Sequence, residues 1–327
     1  PPMLRLSGQD AYFLYQETPS ALMHTLKISV CKPGASQPSE ADFRELVRRS
    51  MGCLPVFQYR VVPVPLGLHH PVVVNDGGFD YDMHVHRIAV PAPGARAQLD
   101  QVIGEIAAGL LERSRPLWEI WVLEGLEGGR IAYVNKMHHV LADGVAAVNY
   151  LGKTLYRDPT DIGTVGLSVF AREEQPSAQR LVLDALRDLL RDFLRLPRLL
   201  QDSARRRRLI DARNRVARLV PAAPYSPDIP KLRFNRALSN LRNYATAQYS
   251  LADFRTIKNR LGGTVNDVML GMLAGGLRRY LQTNAELPER PLVCAIPVSA
   301  EQEAAATRTS GNNVAYFHMR LRTDIAD

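Results

Sequence analysis

Cysteine is scarce in this chain, with three among 327 residues (Cys31, Cys53 and Cys294) and no Cys-x-x-Cys spacing. Their odd number and wide separation argue against a disulfide framework and against a structural zinc site, and they fit a reducing, cytosolic compartment. No apolar run approaches the roughly 18 residues that a membrane span requires. Residues 1–7 lack the basic region and apolar core of a secretion signal. The expectation is a soluble or peripheral cytoplasmic protein. Aromatic residues are not interleaved with the arginines and no base-reading motif accompanies them, which excludes nucleic acid from the expected partners.

The chain is 46% hydrophobic and 23% charged, ordinary values for a globular protein. Its length exceeds that at which a single core usually stops growing, so two domains are expected. The first, residues 1–164, alternates β-prone and helical segments. Thr25 to Cys31 and Pro71 to Asn75 are strand-like, whereas Ala41 to Met51 and Ala97 to Arg113 carry helical spacing. Trp118 to Glu124 and Arg130 to Met137 flank Gly128-Gly129 and predict a hairpin.

The net charge of +8 is concentrated in residues 165–232, assigned to an interdomain linker. Leucines from Leu181 to Leu194 recur at helical spacing, Arg187, Arg191 and Arg195 share another face, and Arg205 to Arg208 follow. Pro197 is expected to kink or end that helix. Such a segment suits an anionic membrane surface, and equally a linker helix packing its leucines on the two domains. Residues 233–327 begin a second α/β unit. It has a strand-like Ala245 to Ser250, helices at Leu251 to Leu261 and Val265 to Leu281, and strand-like Pro291 to Val298 and Val314 to Leu321.

The most informative feature is His138-His139, followed by Asp143 and Gly144 to complete His-His-x-x-x-Asp-Gly. The pair leaves a β-prone run and precedes an apolar helix, so it occupies a strand-to-helix connection, where functional groups are common. Acyl transfer from a thioester to a hydroxyl needs a base that removes the hydroxyl proton and returns it to the departing thiolate, and histidine suits both steps near neutral pH. Asp143 is assigned to bracing the loop and Gly144 to a backbone geometry closed to other residues. Neighbouring strand residues point to opposite faces and no third ligand follows at usual spacing, so no metal is expected.

Around that motif the chain resembles the bacterial wax ester synthase/diacylglycerol acyltransferase family, within the superfamily of CoA-dependent acyltransferases and peptide-synthetase condensation domains. The resembling blocks are Leu6-Ser7-Gly8-Gln9-Asp10-Ala11-Tyr12-Phe13, Phe79 to Val85, Arg115-Pro116-Leu117-Trp118-Glu119, Thr264 to Val268, Pro297-Val298-Ser299 and Gly311-Asn312. The resemblance implies an α/β protein of two pseudo-symmetric, chloramphenicol-acetyltransferase-like two-layer domains with a channel between them. It implies His139 as general base, His138 in support, and direct attack by an apolar hydroxyl on acyl-CoA, with no other cofactor. The expected acceptor is diacylglycerol or a long-chain alcohol.

It further implies Asn266 near the reacting centre as an oxyanion or positioning group, with Gly144, Trp118 and Asp267 near substrate. Asn266 and Asp267 suit simple helix capping as well, and Trp118 suits a core aromatic. Gly311-Asn312 is assigned to a turn, since both residues tolerate left-handed backbone. The family pattern continues beyond residue 327, so the second domain is expected to be incomplete here, its remaining strands lying further along or on another chain. The implied location is the inner membrane periphery or lipid bodies. Acylation of a polyketide or glycolipid hydroxyl, amide formation from a carrier-bound thioester, and a non-catalytic acyl-CoA-binding role stay open.

Overall fold

The structure is a computed structural model that describes residues 4–34, 39–52, 54–77, 80–154, 172–216, 229–299, 308 and 310–326. Cys53, Phe79 and the boundary expected at 164 lie outside the described residues. Strand β1 (Leu4–Arg5), helix α1 (Gly8–Gln16), strand β2 (His24–Cys31) and helix α2 (Glu40–Gly52) open the chain. They are followed by β3 (Tyr59–Val62), β4 (Val72–Asn75), a single helical turn α3 (Tyr81–His84) and β5 (Val85–Ala89). Helix α4 (Arg96–Ala108) then leads into the hairpin β6 (Trp118–Leu126) and β7 (Arg130–His138), and α5 (Gly144–Thr154) starts six residues later. After it come α6 (Ala178–Val216), α7 (Leu251–Leu261), α8 (Val265–Thr283), β8 (Leu292–Ser299) and β9 (Val314–Leu321).

The central sheet has the order β2-β7-β6-β5, antiparallel except for the parallel β5–β6 pair, which α4 connects. Its two faces bury separate cores. Trp118, Ile120, Val122 and Met137 face α2 and α5, where Phe43, Val47, Ala146 and Ala147 meet them. Leu123, Ala132 and Val134 face α4 through Val102, Ile103 and Ile106. Alternation along β6 and β7 makes both faces apolar, which fixes the register, because a slip of one residue would exchange the two faces. Among the described residues a second sheet, β1-β4-β3, and a two-stranded ladder, β8-β9, complete the strands.

One expectation fails for an identifiable reason. Ala245 to Ser250 forms no strand. The polar groups of Thr246 within it are taken by α4 instead: Asp100 accepts from the Thr246 N–H and hydroxyl at 3.2 and 3.1 Å, and Arg96 donates to the Thr246 carbonyl. Of the two outcomes expected at Pro197, a kink or an end, the helix does not end there; α6 runs 39 residues through it, about 58 Å at 1.5 Å per residue. The carbonyl deprived of its donor lies on an exposed stretch where water can satisfy it.

Among the described residues, the anchors of α6 lie toward its N-terminal end. Leu181 is buried against Val62, Val72 and Val74, and Arg5 binds Asp188 at 2.8 Å. From Arg191 to Arg213 every residue is exposed, Phe193 and Leu194 included.

One charge sits deep in the central sheet: Lys136, 2% exposed, donates to the Gly109 carbonyl at 2.7 Å and lies 3.6 Å from Glu119. Burial pushes its pKa down while Glu119 opposes the shift. Removing one member of a buried pair strands the other. Lys136→Met is therefore expected to lower stability by about 3 kcal/mol in denaturant titration, and adding Glu119→Gln to restore part of it.

Candidate active site

Strand β7 carries its last residue, His138, into the interior, opposite His24 in the register with β2. His138 is wholly buried; its Nδ1 accepts from the Val140 N–H at 3.0 Å, which leaves the ring proton on Nε2, 3.3 Å from Glu17 Oε1. His139 points the other way. Its backbone N–H donates to the Met23 carbonyl at 2.8 Å, and its partly exposed ring stacks on Phe13 with centroids 4.0 Å apart. The pair is thus one buried brace and one accessible imidazole, as alternation at a strand end requires.

Phe13 and Asp10 are three residues apart on α1 and so share a face. Ser7 caps this helix, accepting from the Asp10 N–H at 3.1 Å and donating its hydroxyl to Asp10 Oδ2 at 2.6 Å. The other carboxylate oxygen, Oδ1, accepts from both the backbone N–H (2.7 Å) and the side-chain Nδ2 (2.9 Å) of Asn312. Asn312 in turn reaches His139: its Oδ1 lies 2.9 Å from Nδ1 of the ring, and its Nδ2 donates to the His139 carbonyl at 2.8 Å.

Asp143 holds the other side of this junction. Its Oδ1 accepts from the Ala146 N–H at 2.9 Å, capping α5, while Oδ2 binds Arg308 Nη2 at 2.6 Å and the Asn313 N–H at 3.0 Å. Backbone pairing adds Gly311 N–H to the Leu141 carbonyl (2.7 Å) and Asp143 N–H to the Gly311 carbonyl (3.1 Å). Burial pushes the Asp143 carboxyl up, and the Ala146 and Asn313 N–H groups and the Arg308 guanidinium outweigh it, holding the group below the usual carboxylate range. Gly311 has φ +77°, a region that glycine enters without a Cβ penalty.

Other expected site residues are placed differently. Trp118 is 0% exposed, donates Nε1–H to the Phe57 carbonyl at 2.7 Å and stacks on His84. This corrects the substrate-binding reading: the ring is enclosed by core and presents no surface. Asp267 closes a capping box with Thr264, accepting from its N–H at 2.8 Å. Asn266 is exposed in the first turn of α8, and no hydrogen bond among the described residues joins it to His139. Gly144 is exposed with φ outside the positive region, so the special backbone geometry expected of it is absent; a Cβ there would meet nothing within 4 Å. Asp10, Phe13, Glu17 and Arg308 were not legible as site residues. Ser7-x-x-Asp10 signals a cap in the sequence, but nothing local signals what that cap faces.

The buried brace is polar. Burial raises the pKa of Glu17, but His138, the Arg113 guanidinium at 3.0 Å and the Met23 N–H outweigh it and hold the carboxyl at about 2. Nearby His24 is pushed down to about 4 by burial and by the charge of Lys136, and its Nε2 lies 3.0 Å from the Ala107 carbonyl.

Comparison with known proteins gives the class. The catalytic-domain profile of the wax ester synthase/diacylglycerol acyltransferase family matches residues 6–269. A Mycobacterium tuberculosis protein named as a candidate diacylglycerol O-acyltransferase is 38% identical over 330 residues, covering 99% of this chain and 69% of its own length. Another from the same organism is 34% identical, with 64% of its length covered. The chain belongs to the wax ester synthase/diacylglycerol acyltransferase family and is an acyltransferase by that membership. The fold agrees. The wax ester synthase/diacylglycerol acyltransferase of Marinobacter aquaeolei VT8 superposes with a TM-score of 0.65 at 24% identity, over 99% of this chain and 68% of that one. The first condensation domain of the calcium-dependent antibiotic synthetase superposes with a TM-score of 0.57 at 16% identity, over 98% of this chain and 70% of that one.

Glu17 yields a pH prediction. Its folded pKa lies below the unfolded value, so its stabilisation is complete above about 4.5 and is lost as pH falls through about 2. Glu17→Gln is expected to cost up to about 3 kcal/mol at pH 7. In unfolding titrations repeated at several pH values, that difference shrinks steadily once the pH falls below about 4.5.

Proposed function

We propose that this protein transfers a long-chain acyl group from acyl-CoA to the hydroxyl of diacylglycerol or a long-chain alcohol, with His139 as general base. The observation that carries the reading is the inequality of the pair: of two adjacent imidazoles, His138 is sealed in the core and His139 alone reaches the surface. The imidazole of His139 takes the acceptor's proton as its oxygen attacks the thioester carbonyl carbon. The tetrahedral intermediate then expels CoA thiolate, which recovers the proton from the imidazolium. One ester forms, one thioester is lost, and no covalent enzyme intermediate or further cofactor is needed. Asn266, placed by resemblance at the oxyanion, is a proposal of the same kind and would act through its amide N–H.

The lipid character of both substrates gives α6 a role. No helix among the described residues is long and apolar enough to cross a membrane. Yet α6 leaves Leu186, Leu190, Phe193, Leu194 and Leu200 exposed, with Arg187, Arg191, Arg198 and Arg205 to Arg208 on the same free-standing helix. Leucines buried at an acyl boundary and arginines at anionic headgroups would hold the enzyme where its acceptor dissolves. This reading places it at the cytoplasmic periphery of the inner membrane or on lipid bodies.

Labelled palmitoyl-CoA offered with hexadecanol or diolein is expected to give ester and stoichiometric CoA, and His139→Ala to lower the rate roughly 100-fold. Ester formation undiminished in that variant would overturn the base assignment. In liposome sedimentation, neutralising Arg205 to Arg208 is expected to release the protein from anionic vesicles. Unchanged binding would sink the membrane role of α6.

A further inference from the structure

We propose that Asn312 is the positioning residue that keeps the proton of His139 on Nδ1 and the lone pair on Nε2, and that Asp10 locks Asn312 in the one orientation able to do so. The inference deepens, and rests on, the reading of His139 as the base.

The orientation of an amide follows from its neighbours, since oxygen and nitrogen have the same shape but opposite hydrogen-bonding character. One end of the Asn312 amide faces two acceptors, Asp10 Oδ1 at 2.9 Å and the His139 carbonyl at 2.8 Å. That end must be the NH2 group. Flipping the amide would set its oxygen against a carboxylate and a carbonyl together, leaving three acceptors in contact without a proton among them. The carboxylate cannot move away to relieve this, because its Oδ1 also holds the Asn312 backbone N–H at 2.7 Å and its Oδ2 holds Ser7 at 2.6 Å.

With the amide so fixed, Oδ1 is the atom 2.9 Å from Nδ1 of His139, and an amide oxygen can only accept. Neutral His139 must therefore carry its proton on Nδ1. This is the minor tautomer of a free imidazole, so the protein selects it. Rotating the ring by a half turn would present a C–H to the Asn312 oxygen and lose the bond, while Phe13 stacked at 4.0 Å holds the ring plane. Nε2, the nitrogen remote from the backbone, is left as the basic atom. An uncharged acceptor does this without placing a carboxylate against the ring; the charge of Asp10 is kept one residue back, on the far side of the amide.

Two distant stretches of the chain thus supply different parts of one site. The imidazole, its stacking partner and the carboxylate come from residues 10–139, whereas the group that selects the tautomer comes from residue 312, separated from His139 by 173 positions.

The direct test is the tautomer itself, read by long-range nitrogen–proton NMR on protein labelled with 15N in its histidine rings, with His139 assigned by its loss in His139→Ala. The wild type is expected to show His139 protonated at Nδ1; protonation at Nε2 would overturn the proposal with no variant needed. Asn312→Ala is expected to move the proton to Nε2 and to lower kcat roughly 100-fold, with KM for acyl-CoA changed less than about twofold. Retention of the Nδ1 proton and of kcat in that variant would equally overturn it. Asp10→Ala, which releases the amide, is expected to populate both tautomers. Asp10→Asn keeps an acceptor for Asn312 and is expected to hold the Nδ1 form, an outcome that a general loss of packing would not give; loss of the Nδ1 form in both Asp10 variants alike would overturn the part assigned to Asp10. Should His139→Ala retain activity while the tautomer results hold, the base assignment fails and the positioning network stands.

Discussion

The attachment of Arg308 and residues 311–313 to the loop after β7 is the constraint on which the site depends. Asp143 makes it, and the economy of the contact is physical: one carboxylate caps α5 through the Ala146 N–H and binds Arg308 and the Asn313 N–H on the other side. Buried at 2% exposure, an ion cannot be left with unused hydrogen-bonding capacity without a large desolvation cost. Satisfying it forces two distant stretches of chain into one register, and Gly311 turns between them.

From that register the rest follows. Asn312 arrives between Asp10 and His139, so the first helix, the histidine loop and the late segment share one hydrogen-bonded junction. Behind it, Glu17, itself paired with Arg113, lies 3.3 Å from His138 and gives the strand end a polar backing. An imidazole that is stacked, hydrogen-bonded and tied through its own backbone N–H, as His139 is, has little conformational freedom left to lose, which is how a preorganised site differs from a loop that must be ordered by a ligand.

Much was legible in local pattern. Alternation around Gly128-Gly129 marked the β6–β7 hairpin, helical spacing marked α2, α4, α7 and α8, and His-His-x-x-x-Asp-Gly marked the strand-to-helix connection after β7. Tyr59–Val62 and Val85–Ala89 were too short to stand out as strands. Ala245 to Ser250 has the composition of a strand and is not one, because Asp100 and Arg96 on α4 supply its hydrogen bonds. Trp118 looked equally suited to substrate and to core, and only the packing of Phe57 and His84 around it decides for the core.

By itself, then, the sequence determined the periodicities, and with them the sheet and its helices, and it determined the titratable groups available at the turn after β7. Those properties are local: they depend on residues a few positions apart. The tertiary structure alone decided that His138 is sealed and His139 half-buried, what Asp143 binds, and that Asn312 meets His139 across 173 residues. Hydrogen-bond partners at such separation leave no periodic trace, and an amide's orientation is set only by the acceptors that folding brings around it.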